Sequence, residues 1–293
     1  MNPESPSAAP GAENSQKPDQ REEPVDVRAI DWNRAWQAQL ARRGLRKRDA
    51  RYWDGRAPSF AKAVSETDFS DRFLAILKPQ PSWTVLDMGC GSGALAIPLA
   101  KRVRSVTAVD FSGEMLAVLR DQCAAESLAN VATIQGSWEQ DWGQLGIGAC
   151  DVAIACRSLV VEDLRAALLK LDAAARKGAY IVTVVGDGPH DRRLFEAVGR
   201  PLIPSPDYIY TYNLLYQMGI CANVAFIEEI RNRSYDSPEQ AAASLRWMFE
   251  DLTGPEEAKL GAFLKKQLVF RDGSWRLCYD KEIRWAVIWW EKG

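Results

Sequence analysis

Asp87, Gly89, Gly91, Gly93 and Asp110 are the residues of this 293-residue chain whose types and spacing most clearly point to chemistry. They stand in the run Val85-Leu86-Asp87-Met88-Gly89-Cys90-Gly91-Ser92-Gly93-Ala94-Leu95-Ala96, an apolar strand, an acid, a glycine turn and a small-residue helix. Alternate glycines let the backbone turn tightly and approach a ligand where any Cβ would collide. The helix opening near Ala94 turns free N–H groups and its positive dipole end back toward that turn. A second apolar run, Ser105–Val109, ends at Asp110, seventeen residues past Gly93. A carboxylate at the tip of the neighbouring strand can accept hydrogen bonds from both hydroxyls of a ribose, so the ligand implied contains adenosine. A dinucleotide site wants G-x-G-x-x-G over a pyrophosphate. Here the third glycine comes one residue early, and Asp87 would repel a pyrophosphate but suits a ligand carrying an ammonium group.

This run resembles the first signature of the class I S-adenosylmethionine-dependent methyltransferases, V-L-D-x-G-C-G-x-G. The resemblance implies that Gly89, Cys90, Gly91 and Gly93 form the loop around the methionine part of S-adenosylmethionine. It also implies that Asp87 supports that loop and Asp110 holds the ribose, with S-adenosylhomocysteine as product. Residues after the third strand cover adenine in that family, often through an acid after glycine. Here Gly136-Ser137-Trp138 puts serine in that place, with Trp138 offering a face for stacking and Phe111, directly after Asp110, a second one.

The fourth strand ends at Cys156-Arg157-Ser158, on the carboxyl edge where open parallel sheets bind ligands. Neither the Pro-Pro-aromatic run of adenine amino methyltransferases nor the proline before the nucleophile of cytosine C5 methyltransferases is present. Cys156 therefore reads as a wall residue of the cofactor site and Arg157 as part of the acceptor pocket. Methyl transfer from a sulfonium needs alignment and exclusion of water, and a base only when the acceptor atom carries a proton. The sole histidine, His190, follows the fifth strand and is either that base or an ordinary loop histidine. Tyr208, Tyr212 and Tyr216, with Tyr210 among them, lie after the Pro204/Pro206 break and read either as walls of the acceptor pocket or as an ordinary packed segment. Trp53, in Tyr52-Trp53-Asp54-Gly55-Arg56-Ala57, belongs to an entry segment resembling the one that lies over the cofactor in related enzymes. Glu228 and Glu229 are further candidates for substrate contact.

To position these groups, strands are expected at 84–88, 105–110, 131–135, 150–155, 179–186, 224–231 and 282–290. Helices are expected from Asp31, over 68–77, near 94–103, 112–124, 162–176 and 191–199, and over 237–250 and 255–268. Asp272-Gly273 is expected to turn a short hairpin. Alternation of strand and helix predicts a parallel sheet, and the family resemblance implies its form: a Rossmann-like, seven-stranded, mostly parallel sheet with helices on both faces and the last strand antiparallel. Its divisions are a disordered tail (1–27), an N-terminal helical lid (28–80), the donor-binding core (81–200), an insertion capping the acceptor site (201–223) and a C-terminal completion of the sheet (224–293).

The net charge of −2 argues against a generally basic nucleic-acid binder, and no apolar run reaches the ~20 residues of a membrane span. Six cysteines without a C-x-x-C pair, beside one histidine, argue against a structural zinc site. With no secretory signal they point to reduced thiols in a cytoplasm. The Arg42–Arg48 cluster reads as a solvated helix face, or as a patch docking an anionic partner. The expectation is thus a cytoplasmic methyltransferase acting on a small molecule. Its rivals are an RNA or protein methyltransferase docking through Arg42–Arg51, an NAD(P)-binding oxidoreductase, and a cofactor-binding protein without catalysis. The acceptor atom and the oligomeric state stay open.

Overall fold

The computed structural model describes residues 26–44, 50–55, 68–249 and 251–293. The proline-rich tail over 1–25, residues 45–49 of the basic cluster, and Arg56 and Ala57 of the entry segment lie outside the described residues. Residues 26–30 make a turn in which Asp26 accepts the Arg28 and Ala29 N–H groups. Asp31–Gly293 packs as a compact unit of its own.

Nine strands are described: β1 (Thr84–Met88), β2 (Ser105–Asp110), β3 (Val131–Gln135), β4 (Cys150–Cys156), β5 (Ala175–Val184), β6 (Asn223–Arg231), β7 (Leu268–Arg271), β8 (Ser274–Leu277) and β9 (Lys281–Glu291). The helices are α1 (Trp32–Arg43), α2 (Ala50–Asp54), α3 (Phe69–Leu77), α4 (Ala96–Ala100), α5 (Gly113–Ala125), α6 (Leu164–Ala174), α7 (Arg192–Val198), α8 (Tyr208–Gln217), α9 (Pro238–Leu245) and α10 (Gly254–Gln267). Seven strands form one sheet in the order β3-β2-β1-β4-β5-β9-β6, and β7-β8 is a separate hairpin. All neighbours from β3 to β5 are parallel, while β9 runs antiparallel to both β5 and β6. The last strand therefore slots between two earlier ones, and the carboxyl ends of β1, β4, β5 and β6 share an edge with the start of β9.

Two apolar layers sandwich the sheet. Phe69, Phe73, Leu99, Leu116 and Leu119 pack on one face with Ile227, Trp285 and Val287. Trp36, Leu164, Leu168, Leu214 and Leu215 pack on the other with Ile288 and Trp290. A smaller cluster joins α7, α9, α10 and the hairpin through Leu194, Leu245, Leu260 and Leu268. Asp272 and Gly273 both adopt positive φ (50° and 75°), as a two-residue hairpin turn requires.

Local chemistry sets the boundaries that differ from expectation. The helix expected over 94–103 is assigned only at Ala96–Ala100 because Pro98 cannot donate to the Ala94 carbonyl, which accepts the Ser70 hydroxyl at 2.9 Å instead. β5 starts at Ala175 rather than 179, directly where α6 ends, and absorbs the early start in a register shift opposite Cys150–Val152. The segment expected to cap the acceptor site contains α8, whose Leu214 and Leu215 are fully buried on the second face. The helix expected over 237–250 stops at Leu245 and tightens into a single 3-10 turn.

Candidate functional site

The glycine turn is built by backbone demands. Gly89, Gly91 and Gly93 have φ of 75°, 53° and 94°, which side chains rarely adopt. A Cβ on Gly89 would lie 2.2 Å from the Ser158 Cβ, and one on Gly93 would lie 2.4 Å from Leu119 Cδ1. Ser158 is fixed there because its hydroxyl donates to the Met88 carbonyl at 2.5 Å. The Gly89 and Cys90 N–H groups donate to the Val109 carbonyl, tying the turn to the end of β2.

Asp110 closes the same turn from the neighbouring strand. Its Oδ2 accepts the Gly91 N–H at 2.8 Å and its Oδ1 accepts the Ser112 N–H at 2.9 Å. Each oxygen keeps a further lone pair for a ligand hydroxyl. Burial raises its pKa against the opposing pull of those N–H groups. Ser112 caps α5 through its hydroxyl oxygen, which accepts from Met115 N–H, and donates its own proton to Asp54 at 2.5 Å. Asp54 thereby brings α2, with Tyr52 and Trp53 edge-to-face at 5.3 Å, against the start of α5.

Asp87 is buried, and its Oδ1 has no hydrogen-bond partner among the described residues. Burial first, then the charge of Asp110, pushes its carboxyl up to about 7. An orphaned, reluctantly ionised carboxylate beside a cradle no Cβ can enter is a cation-receiving feature. With Asp110 at the ribose position, these residues fit S-adenosylmethionine: the turn would take its methionine part and Asp87 would receive its positive charge.

The other predicted residues divide. Burial raises the Cys90 thiol well above its usual range and holds that of Cys156 at about 11, so neither is a ready nucleophile. Phe111 is half-buried, and its carbonyl accepts from Gln135. The Ser137 N–H donates to Gln140, leaving its hydroxyl side half-buried at the end of β3. Trp138 is buried against Trp142, with ring centroids 5.5 Å apart, and its indole N–H donates to the Ser158 carbonyl. Its visible work is to anchor the segment that clamps the glycine turn. His190 Nε2 lies 2.9 Å from Arg43 Nη2; arginine can only donate, so that ring nitrogen's lone pair is engaged. Tyr208 packs edge-to-face on Phe226 and Tyr212 joins the second apolar layer, while Tyr216 is exposed. Arg157 goes elsewhere, to the first face, where its guanidinium sits 4.6 Å from the Phe69 ring centre and 5.2 Å from that of Trp285. The structure thus gathers Asp87, the glycines, Cys156 and Arg157 at one edge and leaves the tyrosines of α8 on the opposite face.

Four contributors to this edge escaped sequence reasoning: Ser158, Asp54, Arg231 and Trp285. Ser158 was legible as the neighbour of Arg157. The others join through long-range pairing with no local signature. Glu228 is solvent-facing and paired with Arg284, whereas Glu229 is buried.

Residues 85–178 match a family described as a methyltransferase domain. An uncharacterised protein of Haemophilus influenzae is 33% identical over 241 residues, covering 81% of this chain and 88% of that one. A malonyl-[acyl-carrier protein] O-methyltransferase of Serratia marcescens is 34% identical over 125 residues, covering 42% of this chain and 46% of that enzyme. A 23S rRNA (uracil(1939)-C(5))-methyltransferase of Pseudomonas fluorescens is 36% identical over 81 residues, covering 26% of this chain but only 18% of that enzyme. Among solved structures, a candidate methyltransferase of Bacillus halodurans superposes with a TM-score of 0.53 at 15% identity, over 77% of this chain and 99% of that one, a likeness of fold.

Proposed function

This chain belongs to the class I S-adenosylmethionine-dependent methyltransferases, and from that premise we propose that its acceptor is a small molecule. When bound, S-adenosylmethionine supplies an electrophilic methyl group that an acceptor takes by in-line displacement. The chain's own contribution is to bind, align and keep water out. The glycine turn and Asp87 hold the charged end of the donor, and Asp110 fixes the ribose. Phe69, Leu99 and Leu116 belong to the apolar layer packed on the face of the sheet next to that edge, which supports exclusion of water there. With the His190 lone pair engaged by Arg43, the reading assigns it no proton transfer.

The observation that carries the small-molecule reading is the character of the acceptor side. Past the glycine turn the edge offers a compact group of inward-facing side chains, Arg157, Glu229, Arg231 and Trp285, with Glu229 and Trp285 buried. A cluster of a few convergent polar groups suits one small ligand rather than a polymer surface. The sequence relatives do not choose, since their own acceptors include an RNA and an acyl carrier protein. No helix among the described residues is long and apolar enough to cross a membrane. All six cysteines are unpaired, with Cys221 and Cys278 exposed, which supports a reducing, cytoplasmic setting.

Incubating the enzyme with methyl-labelled S-adenosylmethionine and separated cell fractions tests the proposal. Label is expected in the small-molecule fraction. Label in RNA or protein, lost on replacing Arg42 and Arg43 with glutamine, would overturn it in favour of a docked macromolecule.

A further inference from the structure

The segment Cys156-Arg157-Ser158 divides two kinds of surface. Ser158 faces the glycine turn, and Arg157, in the left-handed conformation (φ 56°), turns away to the first face of the sheet. A non-glycine residue held there is strained, and the rest of the structure must offset that strain. What the conformation achieves is visible: the guanidinium is lodged over two aromatic rings, and no carboxylate pairs with it among the described residues.

Trp285 links this cation to an acid. Its ring lies beneath Arg157 and its indole N–H donates to Glu229 Oε2. The same Oε2 takes the Arg231 Nη2 at 3.0 Å. Glu229 itself is only 5% exposed, yet its Oε1 has no partner among the described residues, and neither does Arg231 Nε. A buried carboxylate oxygen and a buried guanidinium N–H without partners are each costly, so a fold that keeps both has a reason to. Burial pulls the Arg231 pKa down while Glu229 pulls it up, and the Cys156 thiol feels Arg157, Asp87 and Glu229 together.

We propose that Arg157, Glu229 and Arg231, organised by Trp285, form the acceptor-binding subsite, and that it takes a small carboxylic acid bearing a hydroxyl or amino group. The acid's carboxylate meets the guanidinium of Arg157, which no carboxylate of the described residues pairs, and its hydroxyl or amino group donates to Glu229 Oε1. Arg231 Nε offers a second donor to the ligand's oxygen. Charge-assisted bonds of this kind are the strong ones, and a ligand satisfying all three removes the orphans at once. The inference rests on the methyltransferase reading and narrows its acceptor to one class.

The test uses the full-length enzyme and two matched sets of compounds. One set holds hydroxy- and amino-carboxylic acids, from lactate and salicylate to anthranilate; the other holds the corresponding carboxamides. Methyl transfer is read with labelled S-adenosylmethionine, binding with the S-adenosylhomocysteine-loaded protein. Acids are expected to be accepted and carboxamides not. Arg157→Gln and Glu229→Gln should each raise the acceptor KM about tenfold or more while leaving S-adenosylhomocysteine affinity near wild type, with the melting temperature kept in Arg157→Gln and lowered in Glu229→Gln, where the buried Arg231 loses its partner. Arg157→Lys should recover part of the loss, a rescue that a merely structural cation over two rings would not give as a KM effect. If acids and amides perform alike, or no acid is accepted while S-adenosylhomocysteine binds, the subsite is wrong and the methyltransferase reading stands. If S-adenosylhomocysteine does not bind at all, that reading fails and takes the subsite with it.

Discussion

The proposed donor half and the proposed acceptor half of the carboxyl edge are built on opposite principles. The donor half is local: Asp87, the three glycines, Asp110 and Ser112 fall within a strand–turn–helix–strand unit, and most of its hydrogen bonds are made by backbone N–H groups. The acceptor half is assembled from distant pieces, Phe69 on α3, Arg157 after β4, Glu229 and Arg231 on β6, and Trp285 on β9, and it works through side chains. A site made of backbone conformation tolerates almost no change in residue type at its turns. One made of side chains on a rigid frame can be retuned one substitution at a time, so a shared donor can serve different acceptors.

The hardest test of that contrast is Gly89→Ala. It combines backbone strain of roughly 1–3 kcal/mol with the 2.2 Å approach to Ser158 Cβ, so donor binding should fall below detection by calorimetry. Adding Ser158→Gly should recover part of the affinity because the collision partner is gone. Failure to recover any would mean that the φ of 75° alone is decisive. Next in size, Asp110→Ala should weaken S-adenosylmethionine binding by about 1–3 kcal/mol, and circular dichroism should report the fold retained. An unchanged affinity would remove Asp110 from the ribose.

A smaller and more diagnostic effect concerns Asp87. With its carboxyl at about 7 in the ligand-free fold, against an ordinary value near 3.8, the folded protein holds a proton there that the unfolded chain has released. Its contribution to stability is thus complete below about pH 4 and is lost as the pH rises through 7. A cationic donor favours the carboxylate, so binding should release a proton and tighten about fivefold between pH 6 and 7. Calorimetry in buffers of different ionisation heat reads that proton directly. Asp87→Asn should abolish both the release and the pH dependence; a release that persists in the variant would place it elsewhere.

Legibility in the sequence follows the same division. The glycine turn and Asp110 could be read because strand, turn and helix fix their relation within a short stretch of chain. The parallel core could be read from alternating strand and helix runs, and the antiparallel last strand from the family resemblance. The acceptor half could not, because Phe69 and Trp285 look like any core aromatic. Nothing in the order of strands announces that β9 slips between β5 and β6 and sets Trp285 beside Glu229. The tyrosines of the 201–223 segment were left between pocket wall and packed segment for a related reason. Their alternate spacing draws the eye as a set, but on a helix Tyr208 and Tyr212 share one side while Tyr210 turns to Trp32 and Trp36. Trp138 was placed correctly at the end of β3, yet its burial against Trp142 depends on contacts no local pattern encodes.

The central claim is that the local half of this edge holds S-adenosylmethionine. Calorimetric titration of the protein with S-adenosylmethionine, S-adenosylhomocysteine and NAD, each in its own run, tests it most directly. Micromolar binding of the first two with no heat from NAD is the result expected; binding of NAD alone would contradict the account.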